Sequence, residues 1–361
     1  MKSCEYNYND LSRKYQNFIL PYVSIKINGK KVKTLLATEN KKDTSLNISY
    51  VRVNLSMENS SMAQIRVLDT YNYSNSSINQ VVTLGSLIEI YLGYSNDKNT
   101  SKVFCGYIAR VDYQFSSNFG ILITALDVLN LMQQEYCPKY YVSKSYSDVI
   151  NSILSNYSKL ITSKKFDDLN TTREFLYREE KISDLDFIRR LCHENNKLFF
   201  VSNGVAYITD KFGEKPIINL DIHEALKNFS FSKIYKNSKI KVLGFNTENH
   251  DTEIVGESSI LTSDCKTVTT FPQTKVINNS NISTSSDAKL YADSLIQDIA
   301  KNISIGNINC IGLPEITVGK TVTISGVDKS TFDNYKFNVT EVTHLINADG
   351  FNTNINITGW S

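Results

Sequence analysis

The hydrophobic period of this chain changes twice, from two residues to about 3.6 and back to two, and this limits the possible folds more than any single motif does. From about residue 20 to 130 apolar residues alternate. Val23, Ile25 and Ile27 share one face of a predicted strand, and Asn28-Gly29 follows as a tight-turn signal. Val51, Val53 and Leu55 alternate in the next strand. A longer strand starts at Val103, with Val103, Cys105, Tyr107, Ala109, Val111, Tyr113 and Phe115 expected on one face. Ile121, Ile123 and Ala125 begin the last strand of this stretch. Several strands with short turns and no helix between them predict a barrel or sandwich.

Between about 130 and 215 the period becomes helical. Ser145 and Asp148 form a capping box ahead of Tyr146, Val149, Ile150, Ile153, Leu154 and Tyr157. Ser183 and Asp186 open a second helix whose stripe is Phe187, Ile188, Leu191 and Cys192. Leu198–Ser202 and Val205–Ile208 flank Asn203-Gly204, which predicts a hairpin. From 216 onward strands return: 239–245, 303–310, 321–325, 335–346 and 353–358. A helix is expected at about 286–301, with Ala288, Tyr291, Ala292, Leu295, Ile296 and Ile299 on its apolar stripe. Residues 251–283 read as a polar insertion, with Thr267–Phe271 as a further strand. The expected fold class is mainly β with α+β: two antiparallel β-barrel-like domains, 1–130 and 216–361, separated by a small α+β domain, 131–215. A chain of 361 residues exceeds what one hydrophobic core supports.

Composition narrows the function. A net charge of +2 gives no field that would recruit nucleic acid. No long uncharged apolar run predicts a membrane anchor, and Met1–Tyr6 lacks the apolar core of a secretory signal. The six cysteines (4, 105, 137, 192, 265, 310) show no C-x-x-C spacing, so neither a zinc site nor a redox motif is expected.

No catalytic constellation stands out. His193, His223, His250 and His344 form no pair at metal-ligand spacing. Cys192 and His193 are neighbours on a helix, so their side chains diverge by about 100°. Ser230-Phe231-Ser232-Lys233 matches S-x-x-K but falls in a strand without companion motifs. Asp184 and Asp186 suit the positive end of a helix dipole better than acid–base work. Asp167-Asp168 reads as a solvated pair. The expectation is a non-enzymatic chain with no cofactor and no metal.

Three stretches carry a resemblance. One joins Phe18-Ile19-Leu20-Pro21 and Asn28-Gly29 to Leu84–Tyr94 and Val103–Ile108. Another is Leu176–Leu191, similar to a "YRES..DF..RL" pattern. The last runs Gly312–Ile324, with Tyr335–His344 and Gly350-Phe351. In this order they resemble the late control gene D and VgrG-type baseplate hub family of contractile injection systems. The resemblance implies a homotrimeric structural hub in a phage tail, phage-like bacteriocin or secretion particle. Six barrels would then match a sixfold tube on one side and a threefold spike on the other. It implies a separate spike protein, tail tube or tube-initiator proteins and baseplate wedge proteins as partners. The location implied is the virion baseplate, assembled in the bacterial cytoplasm. Tyr91, Tyr94, Tyr107 and Tyr113 are the candidate subunit-contact residues, since tyrosine suits contacts that are dry at one end and wet at the other. A tail-associated peptidoglycan hydrolase and a cell-wall-binding module are the alternatives.

Overall fold

The structure is a computed structural model that describes residues 4–32, 34–36, 46–68, 82–115, 119–169, 171–245, 253–262, 272–279, 282–301, 303–327, 332 and 335–360. A short helix, α1 (Tyr8–Lys14), is capped by Asn7 and precedes the first run of strands. These are β1 (Pro21–Ile27), β2 (Lys30–Val32), β3 (Thr34–Leu36), β4 (Leu46–Ser56), β5 (Met62–Leu68), β6 (Leu87–Tyr94), β7 (Thr100–Phe115) and β8 (Phe119–Leu126). Their order in the sheet is β4-β5-β8-β7-β6-β1-β2, with β3 parallel to β4. β2 and β3 thus reach from one end of the path towards the other, and the Thr34 hydroxyl donates to the Val23 carbonyl at 2.6 Å. Among the described residues no ladder completes a barrel, so the architecture is a large antiparallel sheet rather than closed cylinders.

The long strand β7 does not present the single apolar face that strict alternation predicts. Val103 and Phe104 are both buried in the main core, Tyr107 packs against the core of the α+β unit, and Val111 returns to the main core. The physical reason is a pair of bulges. Val103 is skipped in the pairing with β6, and Ala109 in the pairing with β8. Each extra residue flips every side chain beyond it to the other face.

The α+β unit begins with α2 (Val128–Gln134), capped by Asp127. Then follow β9 (Lys139–Ser145), α3 (Tyr146–Ser155), β10 (Ser163–Phe166), β11 (Thr172–Arg178), α4 (Asp184–His193), β12 (Leu198–Ser202) and β13 (Val205–Thr209). Both capping boxes form: the amides of Asp148 and Asp186 donate to Ser145 and Ser183, each at 3.1 Å. The hairpin turns on Asn203 and Gly204, both at positive φ. β9 pairs with β11, while β10, β13 and β12 form a second small sheet.

The last segment contains β14 (Asn219–Asp221), β15 (Leu226–Lys233), β16 (Asn237–Gly244), β17 (Ile254–Leu261), β18 (Gln273–Asn278), α5 (Ser285–Lys301), β19 (Ser304–Ile311), β20 (Thr321–Ser325), β21 (Lys336–Asn347) and β22 (Gly350–Trp360). The stretch expected to be an irregular insertion is in part regular. β17 and β18 flank β16, and α5 covers that sheet over Ile240, Val242, Ile254, Ala288, Ala292 and Ile296. The alternation of β17 is masked by its serines and glutamate. The strand expected at Thr267–Phe271 lies outside the described residues. Gly256 lets α5 approach, because a Cβ there would sit 2.1 Å from the Ala288 carbonyl carbon.

β15, β19, β22 and β21 continue the first sheet. β21 pairs with β4 from Glu341–Ser56 to Ile346–Val51, so one ladder joins the two β segments and one core spans both. The two halves also repeat a local geometry. Gly85 and Gly319 both have φ near +77° (+78° and +76°). The Gly85 amide donates to the Ile108 carbonyl and the Ile108 amide returns to Ser86; Gly319, Val339 and Lys320 do the same. One residue further on, each long strand carries its bulge, Ala109 in β7 and Thr340 in β21.

Replacing Gly256 by Val is expected to lower stability by at least about 1–3 kcal/mol, through overpacking against the helix backbone. Thermal unfolding of the variant beside the parent chain measures it.

Candidate functional site

The four tyrosines singled out from the sequence occupy different environments. Tyr94 is buried inside the chain at 2% exposure. Its hydroxyl donates to the Gly312 carbonyl at 2.9 Å and its ring packs on Tyr15, Phe18 and Phe351. It therefore ties β6 to the loop before β20 and offers nothing to a neighbouring subunit. Tyr107 is half-buried and donates to Asn130 Oδ1 at 2.8 Å, where the first sheet meets α2. Tyr91 is half-buried on β6, donates to Glu89 Oε2 at 3.1 Å and lies beneath the Lys26 ammonium. Tyr113, on the outer half of β7, is 54% exposed.

One group of buried polar side chains is satisfied from within. Arg178, at the end of β11, forms an ion pair with Asp184 at the start of α4, both almost fully buried. Arg178 also donates to the carbonyls of Glu135 (2.7 Å) and Ile182 (3.1 Å), and the Tyr157 hydroxyl donates to Asp184 at 2.5 Å. Burial pushes the Asp184 carboxyl above its usual range, and the Tyr157 hydrogen bond and Arg178 oppose that shift. This network sits in the stretch that carries the second resemblance. It gives Asp184 a partner that helix-end reasoning did not supply. Removing one member of such a pair leaves a bare buried charge and costs about 3–5 kcal/mol. Its residues are not among those lining the clefts beside Ile240, Arg189 and Phe212.

His344 sits at the centre of the β21–β22 hairpin, fully buried. The Ile316 carbonyl, 3.1 Å from Nε2, can only accept, so Nε2 carries the proton. Nδ1 accepts from the Thr353 hydroxyl at 3.0 Å, and Thr353 accepts from the Leu313 amide at 3.0 Å. Burial pulls the imidazole pKa down to about 4, against the hydrogen bond to Ile316. At the other side of the same loop Glu315 is held by Lys14 at 2.9 Å and by the Tyr15 hydroxyl.

The remaining sequence candidates do not assemble into a reaction centre. The Cys192 thiol is fully buried and pushed up by burial, while His193 turns to α5, meeting Ser294 at 3.0 Å and Asp298 at 3.5 Å. Ser230–Lys233 lies in β15, an edge strand. Among the described residues there is no group of three or more metal-ligating side chains, and no helix is long and apolar enough to cross a membrane.

What sequence reading missed is an aromatic face. On β9 and β11 Tyr140 stands opposite Tyr177, and Val142 opposite Phe175. The two tyrosine rings stack at 4.4 Å. Tyr140 and Phe175 are 73% and 70% exposed, whereas Tyr141 and Leu176 between them are buried. The signal was present: apolar residues occur on both faces of two short alternating strands.

A family model described as Alg8 N-terminal domain matches residues 27–348, most of the chain. The chain belongs to this family. The motifs quoted above had pointed to a differently named one, the late control gene D and VgrG-type hubs. No curated protein matches by sequence. Solved structures do match by fold. The 43 kDa tail protein of prophage MuSo2 from Shewanella oneidensis superposes with a TM-score of 0.68 at 11% identity, over 94% of this chain and 98% of that one. A tail protein from Neisseria meningitidis MC58 gives 0.70 at 10% identity, over 94% and 97%. An E. coli type VI secretion component, described as structurally similar to bacteriophage T4 tail proteins, gives 0.58 at 11% identity, over 93% and 77%. The fold of this chain is therefore that of phage tail and type VI secretion spike-related proteins.

Stability should fall with acid because of His344. Its folded pKa lies below the ordinary 6.5, so the unfolded chain takes the proton first. The stability this residue supplies is full above pH 6.5 and is lost as pH drops towards 4, about 3 kcal/mol in all. Denaturant unfolding at pH 7 and pH 4.5 tests it: His344→Gln should show a smaller loss between the two than the parent.

Proposed function

We propose that this chain is a non-enzymatic structural hub of a contractile phage tail or a related injection particle, working as a homotrimer that joins the tail tube to the central spike. The observation that carries this reading is the repeated β geometry. The strand order β4-β5-β8-β7-β6 recurs as β15-β19-β22-β21-β20, with the same glycine turn and the same bulge. Two such modules per chain, three chains to a ring, make six near-equivalent units around a threefold axis. That arrangement reconciles a sixfold tube with a threefold spike. The tail-protein fold and the late control gene D-like and VgrG-like motifs support the same reading, in which the chain divides into 1–130, 131–215 and 216–361. The partners are a separate spike protein, tube or tube-initiator proteins and wedge proteins. The place of action is the baseplate of a virion or phage-like particle, after assembly in the bacterial cytoplasm.

The purified chain, alone or with its spike partner, should have a light-scattering mass equal to three times the 40.9 kDa chain. A single-chain mass under both conditions would sink the proposal.

A second reading, a cell-wall-binding module, is favoured by the Tyr140–Tyr177 stack, since flat exposed rings also suit sugar faces. Sedimentation with purified peptidoglycan separates the two. Retention of the parent chain and release of a Tyr140→Ala, Phe175→Ala variant would favour wall binding, while a hub remains in the supernatant.

A further inference from the structure

We infer that neighbouring copies of this chain join through a β-ladder between the outer half of β7 in one copy and β15 in the next, built like the ladder between β21 and β4 inside each chain. The inference rests on the homotrimer reading and specifies its contact.

The inner half of β21 pairs with β20 through residues 336–338, and its outer half, beyond the Thr340 bulge, pairs with β4 through residues 341–346. β7 is its counterpart. Its inner half pairs with β6 through residues 100–107, and its outer half lies beyond the Ala109 bulge. On the other side, β4 is the counterpart of β15: each is the first strand of its module and pairs next with β5 or β19. The second module thus offers the long edge of its bulged strand to the first strand of the first module. Among the described residues no strand lies along the matching half of β7, and β15 has a strand neighbour only on its β19 side. Edges of this kind template pairing with another chain.

The register can be read across the modules. Val53, Ala63, Ala125 and Ile108 form one rung of the first module. Phe231, Gly306, Ile357 and Val339 form the matching rung of the second. Inside the chain Val53 faces His344, five residues past Val339. The equivalent contact between chains sets Phe231 against Tyr113, five residues past Ile108. Gln114 then faces Ser230, and Asp112 faces Ser232. The chemistry agrees: an aromatic pair lies on one face and polar pairs on the other. Strand order is what the contact uses, since Tyr113 and Phe231 each keep contacts within their own chain. A contact between two different edges is heterologous, so it propagates around a ring and closes at three copies.

Directly opposite residues in such a ladder lie about 4.5–5.5 Å apart at Cα, within reach of a disulfide. In a Cys137→Ser background, Gln114→Cys and Ser230→Cys are placed on separate chains, mixed and oxidised. Lys227→Cys replaces Ser230→Cys as the out-of-register control, and light scattering is run on the same samples. The expected result is a trimer mass and a covalent dimer from the mixed chains at about ten-fold or more over the control. A trimer mass with no such cross-link overturns the strand pairing and leaves the trimer standing. A single-chain mass with no cross-link, both without and with the spike partner, overturns both.

Discussion

The β4–β21 ladder is the contact on which the rest of the molecule depends. Six residue pairs from Glu341–Ser56 to Ile346–Val51 join segments almost 300 positions apart in the chain. Through them Val51, Val53 and Leu55 enter the same core as Val342, Ile346 and Ile355. Each such buried side chain is worth about 1.5–3 kcal/mol, so neither β segment keeps its full core without the other. Long-range pairing of this kind forms late, because loop closure precedes its reward. The Tyr94–Gly312 hydrogen bond and the Lys14–Glu315 ion pair fasten the same two segments at the opposite end of β6.

Buried polarity fixes positions in this molecule. Arg178 and Asp184 set the start of α4 against the end of β11 and against Glu135, after α2. His344 and Thr353 set the loop at 313–316 against the last hairpin. In each case the donors and acceptors are matched, which a buried network requires if it is not to cost more than apolar packing.

Much of this was legible in the sequence where local rules decide. The two capping boxes, the Asn203-Gly204 hairpin, the helix at 285–301 and the alternating strands around Val23 and Val53 follow from residue spacing alone. The two faces of β7 did not, because a bulge arises from pairing with a partner strand and leaves no mark in the strand's own residues. β17 was hidden by Gly256, Glu257, Ser258 and Ser259, which look like loop residues until α5 covers their strand. Of the four tyrosines, composition could name the residue type but not the depth. Tyr94 and Tyr113 sit on similar alternating strands, and only the tertiary arrangement separates a core ring from a surface one. The Tyr140–Phe175 face was likewise readable as alternation but not as exposure.

The bulges at Ala109 and Thr340 have a consequence for how chain length can vary. A strand that switches, at its bulge, which alternate residues face the main core cannot gain or lose a single residue anywhere along it without exchanging oily and wet sides over its whole remaining length. Two residues added at the tip of the β7–β8 or β21–β22 turn would leave that parity intact. Length drift in relatives of this chain should therefore collect at the strand tips in even steps, while the interior spacing between each glycine turn and its bulge stays rigid.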